Sequence, residues 1–312
     1  MPGWIVTGTS GFLGRHLLDA LLEQGPEAPA VSAIGRRRPT APIPFHKADL
    51  EDLESLNQAL CTIRPDVVLH LAGRTPPADP QSLYRANLFG TLNLLEALRR
   101  LDRPVRVVLA GSAAEFGPVE PEHLPVVEAH PCRPTTPYGL SKYLATCAAL
   151  ASRPPLEAVV GRIFNPIGPG MPSGQVFGRF AAELARPGLD PLRLSVGDLD
   201  ARRDFIDARD VASALIALAR SGRPGRVYNI GNGHSQRVGE GLNHLIRLSG
   251  RRVLVETDAS WNGHGPTDSR ADIGCLVYET GWSPRFAFEQ SLADLWRSSQ
   301  TALTLMTSPA VV

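Results

Sequence analysis

Apolar residues recur along the chain at two periods, and the alternation between those periods sets the expected architecture. Short runs rich in Val, Ile, Leu and Ala predict buried strands at Trp4–Val6, Val31–Ile34, Val67–Leu71, Val105–Ala110, Ala158–Ile163 and, late in the chain, Val227–Ile230. Between them the spacing becomes helical over Gly11–Glu23, Leu53–Leu60, Ser82–Arg100 and Tyr138–Ala151. In the first of these, Leu17, Leu18, Leu21 and Leu22 continue a stripe begun by Phe12 and Leu13. Strand and helix in turn predict βαβ units joined by right-handed crossovers. The expected class is therefore α/β, one doubly wound parallel sheet with ligands at the carboxyl ends of its strands. The rhythm breaks at Asn165-Pro166-Ile167-Gly168-Pro169-Gly170, which is loop chemistry. Residues 1–165, rejoined by about 225–235, are expected to form the sheet domain. Residues of about 166–224 and 236–300 are expected to form a smaller, mostly C-terminal lobe that binds substrate. Residues 301–312 would then be an uncharged tail, disordered or packed on a partner.

The first strand runs into Thr7-Gly8-Thr9-Ser10-Gly11-Phe12-Leu13-Gly14. There Gly8 suits a tight turn, Gly11 admits phosphate close to the backbone, and Gly14 lets helix and strand pack together. Ser10, Phe12 and Leu13 sit at the helix N-terminus, whose unpaired N–H groups and dipole favour an anion. The pyrophosphate of a dinucleotide is the expected occupant. Further on, Tyr138 and Lys142 stand four residues apart, hence on one face of a helix. An adjacent ammonium favours phenolate, so the tyrosine is expected to become more acidic and to act as a general acid/base. Lys142 can also donate to ribose hydroxyls. The Val105–Ala110 strand ends in Gly111-Ser112, and a hydroxyl there can hydrogen-bond a reacting oxygen.

The formal net charge of +1 speaks against a nucleic-acid partner, which needs a dominant basic face. One basic cluster does matter. The second strand is followed by Gly35 and then Arg36-Arg37-Arg38, with no carboxylate to bond a ribose 2′-hydroxyl. Arg36 instead suits a 2′-phosphate, so NADP(H) is the expected cofactor. Cys61, Cys132, Cys147 and Cys275 show no CxxC pairing, which fits a reducing cytoplasm and no metal site. Neither a leader pattern nor an apolar run of bilayer length is present, so no membrane partner is expected.

Together these motifs resemble the extended short-chain dehydrogenase/reductase family, which includes nucleotide-sugar epimerases, dehydratases and reductases. The resemblance also draws on Asp49-Leu50, Pro65 to Gly73, Asn87, Phe116-Gly117, Arg162 to Pro166, Arg203 to Asp207 and Tyr228 to Gly233. It implies a Rossmann sheet in which Asp49 and Leu50 hold the adenine end and Leu71, Ala72, Gly73 and Asn87 line the cofactor. It implies also that Asn165 and Arg203 contact substrate. Dehydratases of the family need a carboxylate just beyond the serine or threonine, where this chain has Ala113 and Ala114. Glu115 would face away on any continuation of the strand. Epimerases of the family retain NAD, which Gly35 and Arg36 disfavour.

A reductase fits best, and Gly197 to Asp210, Phe164 to Gly170 and Thr280 to Pro284 resemble nucleotide-linked 4-keto-6-deoxyhexose reductases, which implies a ketoreductase of such a sugar with Tyr138 as proton donor. One departure stands out: Gly265-Pro266 replaces the arginine with which relatives grip a diphosphate. Arg270 or Arg202 could compensate, or the substrate could be a small carbonyl compound without a nucleotide. The same motifs are compatible with a 4-epimerase and with a non-catalytic dinucleotide sensor. The Tyr138–Ala151 helix is apolar nearly all round, and with Ser82–Arg100 it is expected to form a homodimer interface, as in many relatives.

Overall fold

Successive residues of the central strands point to opposite faces, and here both faces are apolar. Trp4 and Val6 enter one buried layer while Ile5 enters the other; Val108 and Ala110 oppose Val107 and Leu109 in the same way. A sheet buried on both sides must carry helices on both sides, and the chain supplies them in order. The computed structural model describes residues 3–25, 28–188, 190–258 and 268–307, without the side chains of 302–307.

The first half runs β1 (Gly3–Thr7), α1 (Phe12–Leu22), β2 (Ala30–Gly35), β3 (Phe45–Lys47), α2 (Leu53–Ile63), β4 (Val67–His70) and α3 (Pro80–Leu83). It continues through a π-helical turn (Tyr84–Phe89), α4 (Gly90–Arg99), β5 (Val105–Ser112), a 3₁₀ turn (Ala113–Glu115), α5 (Pro137–Leu150) and β6 (Leu156–Ile163). The remainder is β7 (Asn165–Ile167), α6 (Val176–Ala185), β8 (Leu192–Val196), β9 (Arg202–Asp207), α7 (Ala208–Ser221), β10 (Val227–Ile230) and β11 (Ser235–Arg237). It ends with α8 (Val238–Ser249), β12 (Val253–Thr257), α9 (Gly274–Thr280) and α10 (Phe288–Thr307).

Seven parallel strands form one sheet in the order β3-β2-β1-β4-β5-β6-β10. Strand order reverses between β1 and β4, which is where a doubly wound sheet opens its ligand crevice. Leu17 and Leu21 of α1 and Leu215 and Leu218 of α7 cover one face. Leu56 and Leu60 of α2, Leu94 and Leu98 of α4, and Ala145 and Ala149 of α5 cover the other. A third apolar cluster joins Phe177 and Phe180 of α6, Leu242 and Leu245 of α8, and Leu292 and Leu295 of α10. Beside it lie a three-stranded sheet, β11-β9-β7, and the pair β12-β8.

Three elements differ from expectation. The helix predicted over Ser82–Arg100 begins at Pro80, where Asp79 caps the N–H of Ser82 at 2.9 Å, and widens into the π-helical turn before α4. Strands β3, β7, β9 and β11 are short and include polar or charged residues (His46 and Lys47; Asn165; Arg202, Arg203, Asp204 and Asp207; Ser235 to Arg237), so apolar patterning does not reveal them. Residues 301–307 continue α10 and do not start a separate tail.

Candidate active site

The turn after β1 is shaped by steric necessity. Gly8 has φ +77°, and a Cβ there would come within 2.6 Å of the Ala72 N and 2.7 Å of the Leu71 carbonyl carbon. A Cβ on Gly14 would meet the Gly8 oxygen at 2.1 Å, so α1 packs against the turn only as glycine. The loops after β1 and β4 thus lie in contact and wall a groove of about 210 Å³. Gly8, Ser10, Gly11, Arg36, Asp49, Leu50, Leu71, Ala72 and Gly73 line it. Phe12 and Leu13 do not; they face the third and first apolar clusters instead. Arg36 lies 4.0 Å from Asp49, and Arg37 reaches the Ser10 hydroxyl at 3.5 Å. A glycine cradle that any side chain would fill, at a helix N-terminus with arginines on its rim, fits a dinucleotide phosphate. Among the described residues no cluster of three or more His, Cys, Asp or Glu could hold a metal ion.

The groove floor is braced by buried polar groups that patterning does not single out. The Thr7 hydroxyl accepts from the Ala72 N–H at 3.1 Å, so its own proton points to His70 Nδ1 at 2.7 Å. His70 Nε2 then donates to Thr91 at 3.0 Å, whose hydroxyl passes on to the Asn87 carbonyl. Burial lowers the His70 pKa to about 3, with the Lys142 charge adding to the effect, so the ring is neutral. Asn87 holds both the N–H and the carbonyl of Arg74 and donates to Ser141 at 2.9 Å. It lies beneath the cofactor loop and ties it to α5.

Thr136 caps α5 by accepting the Gly139 N–H, and Pro137 starts the helix. This sets Tyr138 half-buried, facing Ser112 at the end of β5, while Lys142 is buried one turn further on. Contrary to expectation, the phenol is not acidified. Its burial pushes its pKa up, a hydrogen bond with Ser112 opposes this, and the Glu115 carboxylate pushes the same way as burial. The ammonium of Lys142 is turned to the Ala110 carbonyl, and burial lowers its pKa against the pull of Glu115.

Nor does the chain beyond Ser112 continue as a strand. It turns at once into a 3₁₀ helix, which Ser112 caps through the Ala114 N–H at 3.2 Å. Glu115 is therefore folded back under Ser112 and fully buried, paired with Arg162 at 3.1 Å. That pairing withholds its carboxylate from any ligand beside Ser112.

Asn165 donates to the Asp204 carbonyl at 3.0 Å. Arg203, half-buried on β9, bonds the Arg202 carbonyl at 2.7 Å. Burial lowers its pKa, against the pull of Asp198 and Asp268. Segment 268–271 runs beside β9, and there Arg270 Nε is buried with no protein partner among the described residues. Arg202 does not share that freedom, being committed to Ser235 at 2.9 Å. Asp204, which apolar patterning passes over, is the hub. Its carboxylate accepts the N–H groups of Asn232, Gly233 and Ala271, and burial nonetheless raises its pKa to about 6. Gly265 and Pro266, where the expected arginine is missing, lie outside the described residues. Phe89 at the end of the π-helical turn, Leu92 on α4, and Leu140 and Leu144 on α5 are solvent-exposed.

The model of the NAD dependent epimerase/dehydratase family matches residues 4–231. The chain is similar to GDP-6-deoxy-D-mannose reductase of Pseudomonas aeruginosa, with 35% identity over 94% of this chain and 96% of the relative. It is 31% identical to dTDP-6-deoxy-L-talose 4-dehydrogenase (NAD(P)(+)) of Kitasatospora kifunensis, covering 95% of each. Among solved structures, RMD from Pseudomonas aeruginosa complexed with NADPH superposes with a TM-score of 0.85 at 32% identity, covering 97% of this chain and 98% of that one.

Proposed function

The chain belongs to the NAD dependent epimerase/dehydratase family, and from that premise we propose that it is an NADPH-dependent ketoreductase of a nucleotide-linked 4-keto-6-deoxy sugar. The observation that carries this reading is the meeting of Tyr138 with Ser112 at the carboxyl end of β5. Their two hydroxyls, hydrogen-bonded to each other, offer a ketone oxygen a proton donor and an orienting donor side by side. NADPH held in the groove by the glycine turn and Arg36 would supply the hydride for the ketone carbon. Ser112 orients the ketone oxygen, and the Tyr138 O–H bond breaks as its proton passes to that oxygen. The phenolate left behind is reprotonated from water. Lys142, released from the Ala110 carbonyl, would hold ribose hydroxyls and steady the phenolate through its charge.

The coenzyme choice follows from Arg36 at the end of β2, with no carboxylate at Gly35. The relatives named above are a 6-deoxyhexose reductase and a 4-dehydrogenase, both named for nucleotide-linked sugars. Carbon 4 of such a sugar is the reacting centre proposed here, with the unpartnered Arg270 Nε and Arg203 gripping the anionic nucleotide. The exposed apolar faces of α4 and α5 would pair with a second copy. A 4-epimerase is the second reading, since Ser112, Tyr138 and Lys142 would serve it equally; the arginines after β2 weigh against it.

The test is Y138F, assayed with GDP-4-keto-6-deoxy-D-mannose and NADPH. NADPH binding by fluorescence titration should be unchanged, while turnover falls about 10²- to 10⁴-fold. Near-normal turnover would remove Tyr138 as the proton donor.

A further inference from the structure

Glu115 takes no part in the reaction just described, yet it is fully buried next to the groups that do. Its Oε1 accepts the Ser112 N–H at 2.8 Å and the Thr146 hydroxyl at 3.1 Å, while Oε2 accepts Arg162 Nε at 3.1 Å. Those three donors belong to the end of β5, to α5 one turn beyond Lys142, and to β6. Neighbouring glycines are cut to this arrangement. A Cβ on Gly111 would meet Glu115 Oε1 at 2.8 Å, and one on Gly139 would meet the Ala114 oxygen at 2.3 Å. Arg162 is held in turn by the Glu128 carbonyl, by Cys132 Sγ and by the Phe116 ring, 4.4 Å below its guanidinium. A carboxylate with three donors from three elements cannot swing out to act on a substrate. It can fix where those elements stand.

We propose that Glu115 is a positioning residue for proton transfer, clamping the Ser112 turn onto α5 so that Ser112, Tyr138 and Lys142 keep their mutual placement, a role that rests on Tyr138 being the proton donor. Its charge has a second effect, because it raises the pKa of both Tyr138 and Lys142. The other ionisable groups around the pair are Arg162 on β6, Cys132 on the loop before α5, His70 on β4, and Tyr143 and Cys147 further along α5. His70 stays neutral above about pH 3, so it does not titrate in the working range. A buried ion pair with a purely structural duty would leave the titration of Tyr138 untouched; a clamp whose charge faces the phenol would not.

The experiment uses E115Q and the double variant E115Q/R162Q, which removes both buried charges together and replaces E115Q if the single variant melts below assay temperature. With GDP-4-keto-6-deoxy-D-mannose and NADPH, kcat should fall about 10- to 100-fold while the KM for NADPH changes less than about threefold. Independently of turnover, the ¹³Cζ resonance of Tyr138, assigned by its loss in Y138F, should titrate at lower pH in either variant than in the wild type. Activity that falls only in step with the folded fraction, with an unmoved Tyr138 midpoint, would overturn the clamp. Should Y138F itself turn over normally, the donor assignment fails. If Y138F is inactive while both Glu115 variants keep wild-type turnover and midpoint, only the clamp fails.

Discussion

In an R36A variant the coenzyme groove should lose its preference for a 2′-phosphate and keep everything else. Arg36 sits on the rim after β2, its side chain 65% exposed and 4.0 Å from Asp49. A charge-assisted hydrogen bond is worth about 1.5–3 kcal/mol when well formed. Solvent screening at so exposed a position, and competition from Asp49, place the expected loss nearer ~1–2 kcal/mol. At ~1.4 kcal/mol per decade, that is an increase of about 5- to 30-fold in the dissociation constant for NADPH. NADH has no 2′-phosphate, so its affinity should change less than about twofold. Fluorescence titration with both coenzymes measures the two constants on one preparation. Equal weakening for NADPH and NADH would refute the reasoning, since it would mean that Arg36 supports the loop and does not read the phosphate. Arg37 is the internal control: it already reaches Ser10, so R37A should weaken both coenzymes together or neither.

An L144E substitution on the exposed side of α5 should convert a dimer into a folded monomer, read by sedimentation velocity; an unchanged dimer would place the interface elsewhere. R270A should raise the KM for the GDP-linked ketone about tenfold or more with kcat little changed, because it removes grip shared by ground and transition states. A KM that does not move would point to a substrate without a nucleotide. Asp204 should make stability fall as pH rises. Its folded pKa of about 6 lies above the usual 3.8, so the folded chain binds more protons than the unfolded one between those values. Urea unfolding from pH 4 to pH 7 should show D204N gaining on the wild type by up to about 3 kcal/mol across that window. A constant difference would show that the carboxyl is not perturbed.

The sheet is legible wherever a strand is buried on both faces, since runs such as Val67–Leu69 and Val107–Ala110 contain no polar residue. The first turn is legible for a related reason: Gly8 and Gly14 stand where backbone touches backbone, and no other residue fits. Sequence spacing alone also puts Tyr138 and Lys142 on one face of α5. It does not reveal how they are charged. The phenol's pKa is governed by burial, by its hydrogen bond with Ser112 and by Glu115, and none of these follows from the i, i+4 relation. Glu115 itself reads as facing away, because alternation presumes a strand that the 3₁₀ turn cuts short. The roles of His70 and Asp204 are hidden because their partners are distant in sequence: Thr91 is 21 positions from His70, and Ala271 is 67 from Asp204. Strand β9, beginning Arg202-Arg203-Asp204, is polar where patterning asks for apolar residues, and only its pairing with β7 and β11 defines it.

The path of the chain between β6 and β10 has a practical consequence. After Ile163 the backbone leaves the large sheet for the small one, and returns only at Val227 to lie along β6. A polypeptide stopped anywhere in that interval would leave one margin of the large sheet without its last strand, with unpaired N–H and C=O groups open to solvent and to other chains. The coenzyme-holding half is therefore not a detachable module. Shortened versions should aggregate, and the intact protein should melt in one cooperative step.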